Sequence, residues 1–113
     1  MDAIRVLVGN EPRAYREAIA AAFAALRPGC TVTVVEPAAI DREAQRVDPH
    51  LVLCSHLTAN LQADRLAWVL LYPDGDNAAC VSVAGRRRDC DGIELECLIA
   101  VIDEVAHLVT PVR

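Results

Sequence analysis

Cys54, Ser55 and His56 stand at the end of an apolar run, "HLVLCS" followed by His56, and their types invite three kinds of chemistry. A thiol, a hydroxyl and an imidazole could serve nucleophilic catalysis, hydrolysis or metal binding, and spacing decides against each. Neighbours on a strand point to opposite faces, so Ser55 and His56 cannot form a nucleophile–base pair. No G-x-S-x-G elbow surrounds the serine. A phosphatase-type cysteine loop needs an arginine six positions after its nucleophile. That position is Asn60, and the stretch "SHLTAN" offers no glycine to let the backbone wrap a phosphate. Cys54 is therefore read as a core thiol. Cys54 and His56 share a strand face and His50 precedes them, but these scattered donors lack metal-ligand spacing. His56 and His107 read as surface or capped histidines. No catalytic residue, metal ligand or cofactor is assigned.

Composition narrows the function classes further. The 113 residues suit a single domain, 1–113, with a real core. That core must be aliphatic, since 54% of residues are hydrophobic and only 4% aromatic. A net charge of −5 argues against general nucleic-acid binding, which rests on phosphate neutralisation. All 11 basic residues are arginines, so Schiff-base chemistry and a P-loop lysine are excluded. No apolar run approaches the ~20 residues of a membrane span, and the acidic opening "MDAIRVLVGNEP" is not expected to be a secretory signal. Five cysteines without a CxxC pair argue against a disulfide framework. A cytoplasmic protein is expected.

The elements that must position these residues follow from periodicity. "IRVLV" (4–8) predicts a strand, with Asn10 as N-cap and Pro12 in the first turn of a helix over 13–27. Tyr15, Ile19, Ala22, Phe23 and Leu26 form its inward stripe. A strand over 30–37, a short helix over 38–47 and a strand over 50–55 follow. Nearly continuous apolar strands between helices point to a parallel sheet buried on both faces. "HLTANLQADR" predicts a turn or two of helix with Thr58 near its cap, and strands follow over 66–73 and 78–85. Only "PDGDN" separates that pair, too little for a parallel crossover, so an antiparallel hairpin is expected. "GRRRDC" reads as a polar connection, with Arg86, Arg87 and Arg88 solvated and paired to Asp89 and Asp91. Asp91 and Glu94 suggest a capping box for a last helix over 93–109.

Two stretches resemble the receiver domain of two-component response regulators. "VLVGNEP…YREAI" is similar to the receiver opening, where a strand leads to an acidic pair and a helix. "VDPHLVLCS" is similar to its third strand, which in the family reads Pro-Asp-Leu-Val-Leu-Leu-Asp. The resemblance covers the first 57 residues well and the rest loosely. It implies an α/β fold of three layers, flavodoxin-like, with an open sheet of order about 2-1-3-4-5; the short "PDGDN" connection departs from that family and sets the last strand antiparallel to strand 4. It also implies what is missing. Gly9 and Asn10 stand at the acidic pair, leaving Glu11 nearby; Ser55 stands at the phosphoacceptor aspartate; the phosphate-pairing lysine is not encoded.

The leading expectation is a non-catalytic, receiver-like regulatory domain acting through protein contact. Because a helix is lost between strands 4 and 5, one sheet face should be thinly covered and the chain should self-associate as a homodimer. Neither nucleic acid nor membrane is expected as a partner. The alternative is a small-anion or small-ligand sensor or enzyme. Its site would be the crevice beyond the carboxyl ends of strands 1 and 3, rimmed by Gly9, Asn10, Glu11, Ser55 and His56.

Overall fold

The computed structural model describes residues 4–62, 66–72 and 78–109. Strands β1 (Ile4–Val8), β2 (Cys30–Val34), β3 (Leu51–Cys54) and β4 (Ala67–Leu71) run parallel; β5 (Ala79–Val83) and β6 (Arg86–Cys90) complete one sheet of order β2-β1-β3-β4-β5-β6. The β4–β5 and β5–β6 pairs are antiparallel. Helices α1 (Arg13–Leu26) and α4 (Leu95–Val109) cover one face; α2 (Ile40–Val47), entered through a 3-10 turn at Pro37–Ala39, and α3 (Ala59–Gln62) cover the other. The expected three-layer α/β arrangement and the reversal after β4 are both present. The 73–77 turn sequence and residues 63–65 lie outside the described residues. None of the described helices is long and apolar enough to cross a membrane.

Strand alternation sorts the core into two clusters. Val6, Val8, Leu51, Leu53, Val69 and Val81 face α1 and α4. Leu7, Val52, Cys54, Trp68 and Cys80 face α2 and α3. β1 and β3 are buried along almost their whole length, which is why they read as unbroken apolar runs.

Several boundaries differ from expectation for local reasons. Asn10 does not cap α1. The residue before a proline is pushed out of helical conformation, so Glu11 cannot begin the helix. Pro12 takes the N-cap place instead, and its carbonyl accepts from Arg16 N–H at 3.0 Å. The buried stripe of α1 is Arg16, Ile19 and Phe23, while Leu26 is exposed. At the other end, α4 starts at Leu95 rather than at 93. The hydroxyl of Tyr72 bonds both the N–H and the carbonyl of Ile93 at 3.2 Å, holding that residue outside the helix. Glu94 contributes its carbonyl to the N–H groups of Cys97 and Leu98, so its role is in the backbone.

The arginine run is not a connection. Arg86–Cys90 is the edge strand β6, joined to β5 by the two-residue turn Ala84–Gly85. Alternation sends its side chains to different places: Arg88 reaches Glu104 of α4 at 3.6 Å, and Arg87 lies over the Trp68 ring, 5.2 Å from its centroid. Charged residues are a common device on sheet edges because they discourage pairing with a further strand. An edge strand that buries little leaves no hydrophobic period in the sequence. The neighbouring face is also less bare than expected, since Trp68, Cys80 and Ser82 are all buried there.

Ala84 and Gly85 have φ of 51° and 83°. Two positive φ values in a two-residue hairpin are the signature of a type I′ turn, whose preferred pair is Asn-Gly. Ala84→Asn should therefore raise stability by about 1 kcal/mol. Urea unfolding followed by circular dichroism checks this; a midpoint at or below the wild-type value would count against the turn assignment.

Candidate functional site

The carboxyl ends of all four parallel strands converge on one cleft of about 650 Å³. Beyond β1 come Glu11 and Pro12, beyond β2 Glu36 and Pro37, beyond β3 Ser55 and His56, and beyond β4 Tyr72. Arg13 and Arg16, from the first turn of α1, complete the lining. Open α/β sheets gather ligand-facing loops at this end because each strand there passes into a connection rather than into more sheet.

Of the rim residues expected from sequence, Glu11, Ser55 and His56 line the cleft. Ser55 is 5% exposed, and its Oγ accepts from the N–H of Glu11 at 2.8 Å, tying the β1–α1 connection to the end of β3. His56 is exposed at the rim. Gly9 and Asn10 lie beneath instead. Gly9 donates its N–H to the Leu53 carbonyl at 2.9 Å. A Cβ there would come within 2.6 Å of Ile40 Cδ1 and 3.1 Å of Val35 Cγ2. The glycine thus serves the close approach of α2 to β1. Asn10 is wholly buried, and neither atom of its side-chain amide has a partner among the described residues. Leaving such atoms unbonded costs about 1–3 kcal/mol per group.

Arg16 was hidden in the α1 stripe. It is 3% exposed; its Nη1 donates to the Asn10 carbonyl at 3.1 Å and its Nη2 to Glu36 Oε2 at 3.3 Å, while Nε has no partner among the described residues. Glu36 itself is 73% exposed. The cue available in the sequence was a charge three residues before Ile19, on the side of the helix that must turn inward. Tyr72 gave no cue. It holds φ 49°, an uncommon conformation for a bulky side chain. There its ring stacks on Tyr15 at 5.9 Å. Burial, then the hydrogen bond and charge of Tyr72, push the Tyr15 phenol up to about 12, so it stays protonated at ordinary pH.

The remaining candidates are dispersed. His50 sits at the start of β3, at the far end from Ser55, and its Nδ1 accepts from Arg5 N–H at 2.9 Å. His107 is exposed on α4. Thr58 caps α3 by accepting from Leu61 N–H at 3.1 Å while its hydroxyl donates to Asp41 at 2.7 Å. Cys54 is buried, and its thiol donates to the Val69 carbonyl at 3.7 Å. Among the described residues no group of three His, Cys, Asp or Glu side chains is placed to hold a metal ion.

Set against family models, curated proteins and solved structures, the chain matches none. The cleft must be read from its own chemistry.

Burial, with the Asp41 charge adding to it, pushes the Cys54 thiol up to about 12. The reactive species is the thiolate, so Cys54 should resist iodoacetamide at pH 8 in the folded chain while the exposed Cys97 is alkylated. Peptide mapping of native and urea-unfolded protein reads both sites. Alkylation of Cys54 in the folded chain at the rate of Cys97 would contradict its placement in the core.

Proposed function

We propose that the chain is a non-catalytic, receiver-like regulatory domain of the cytoplasm that acts through protein contact, including self-association as a homodimer. The observation that carries the non-catalytic part is the Ser55–Glu11 bond. At the place where a receiver presents its phosphoacceptor, a buried hydroxyl is committed to a backbone N–H at 2.8 Å. The two carboxylates lining the cleft, Glu11 and Glu36, come from different connections, and Glu36 is held by Arg16. Mg²⁺ favours clustered carboxylate oxygens in octahedral geometry, and an ion-paired glutamate on an opposite loop is poorly disposed to supply them.

Support for contact between copies comes from the surface of α1 and α4. A groove of about 320 Å³ between α1 and α4 has Leu26 (51% exposed) and Leu95 (41% exposed) on its walls, with Arg27 and Asp103 beside them. Both Arg27–Asp103 bonds are short, 2.6 and 2.7 Å, and they fix the end of α1 to α4. A surface carrying apolar residues and both signs of charge is compatible with an isologous contact, in which the same patch meets itself.

Two measurements on the whole chain test this reading. Intact mass after incubation with acetyl phosphate and Mg²⁺ should be unchanged; a stable phosphoryl adduct on the folded protein would overturn the non-catalytic assignment. Sedimentation across a dilution series should give twice the 12.2 kDa chain mass, and Leu26→Glu with Leu95→Glu should return the monomer. A wild-type chain that remains monomeric at every concentration would remove self-association.

A further inference from the structure

Several arginines meet carboxylates among the described residues, and two of them, Arg27 and Arg16, differ in a way that points to a ligand. Arg27 meets Asp103 with both prongs of one guanidinium edge, Nε to Oδ1 at 2.6 Å and Nη2 to Oδ2 at 2.7 Å. This is the parallel two-bond geometry for which a guanidinium is shaped. Arg16 presents the same edge, but only half of it is used. Its Nη2 meets Glu36 at 3.3 Å and its Nε meets nothing among the described residues. Arg27 makes its full pair at the surface, where water could have served instead. Arg16 makes a half pair while 3% exposed, where an unmet N–H is most costly.

The surroundings of Arg16 favour a negative group. Arg16 lines the 650 Å³ cleft. The N-terminus of α1, a helix of 14 residues, opens on the same cleft with no side-chain cap and no acidic residue in its first turn. Its first N–H groups lack intrahelical partners, and the positive end of its dipole is uncompensated there. Arg13 adds a second guanidinium to the lining, bonded to Glu17 at 3.3 Å, and Ser55 and His56 add a hydroxyl and an imidazole. Opposing charge comes from Glu11 and Glu36, of which Glu36 is mostly exposed and attached by one long bond.

We infer that Arg16 is the receptor for a small organic oxyanion, a carboxylate or a phosphate monoester, and that Glu36 is an internal carboxylate which the ligand displaces. The incoming group takes Nε and Nη2 together, as Asp103 does on Arg27, beside the N–H groups that open α1. Glu36 swings to solvent. The cleft is far larger than a bare phosphate, so the ligand carries an organic body against Pro12, Pro37 and Tyr72. No bond is made or broken. This site is independent of the α1–α4 groove, so its failure would leave the self-association reading standing.

The inference is tested by titrating the ¹⁵N-labelled full chain with benzoate, phenyl phosphate and inorganic phosphate, observing amide and arginine Nε–H resonances. Saturable shifts at Arg16 Nε–H and at residues 11–15 are expected with at least one of the two aryl anions. Comparison of the two tells carboxylate from phosphate, and inorganic phosphate alone should bind more weakly than phenyl phosphate. Glu36→Gln removes the internal competitor and should tighten binding several-fold. Arg16→Lys keeps the charge but not the two-pronged edge and should weaken binding at least tenfold. Should Arg16→Lys fail to fold, the Glu36→Gln result decides alone. Binding that is absent, unsaturable or spread over the surface arginines would overturn the inference, as would binding left unchanged or weakened by Glu36→Gln.

Discussion

A guanidinium buried at the head of the sheet organises the functional end of this molecule. A charge taken out of water must be met by polar groups or its burial is strongly unfavourable. Arg16 is met by the Asn10 carbonyl from the β1–α1 connection and by Glu36 from the β2–α2 connection. Those contacts draw together the ends of the first two strands and the first turn of α1. The Ser55 hydroxyl then ties the third strand to the same connection through Glu11 N–H. Tyr72 closes the fourth side, its left-handed backbone held in place by stacking on Tyr15 and by hydrogen bonds to Ile93. The cleft is bounded by polar contacts made between loops, whereas the layers beneath are held by aliphatic packing.

The sheet shows a second division, between a parallel half and an antiparallel half. Parallel strands need crossovers, and those crossovers supply the helices that bury β1 and β3 on both faces. After β4 the chain reverses and then reverses again, leaving β6 as an edge with three successive arginines. Their different destinations protect the sheet in different ways. Arg87 lies across Trp68, so an arginine side chain adds to the cover of an indole that belongs to the α2–α3 cluster. Arg88 links the edge to α4. The antiparallel half therefore has α4 over one face and draws on long arginine side chains for part of its remaining cover.

Most of the secondary structure was legible along the chain. The first three strands, α1 and the α2 region follow from apolar runs, one helical stripe and turn residues, all of which act over a few neighbours. The reversal after β4 was legible too, because a connection too short for a crossover permits little else. β6 was not, since an exposed edge strand buries too little to impose a period. The capping role expected of Asn10 failed to a proline two residues on. That proline excludes its neighbour from helical geometry, a rule that is local but was outweighed by the stronger-looking cap signal.

The candidate site was legible only in part. Gly9, Asn10, Glu11, Ser55 and His56 could be placed near the ends of strands 1 and 3 because the order of elements brings those ends together. Which of them face the cleft, and which lie under it, depends on α2 packing against Gly9 and on the loop geometry around Asn10. Arg16 and Glu36 are 20 residues apart, and Ser55 and Glu11 44 apart. No local pattern connects such pairs. The sequence by itself determined the layers, through hydrophobic periodicity, and it determined which reactive groups the chain does not encode. Only the tertiary structure decided which polar groups share a buried space, because that depends on four strand ends meeting one helix.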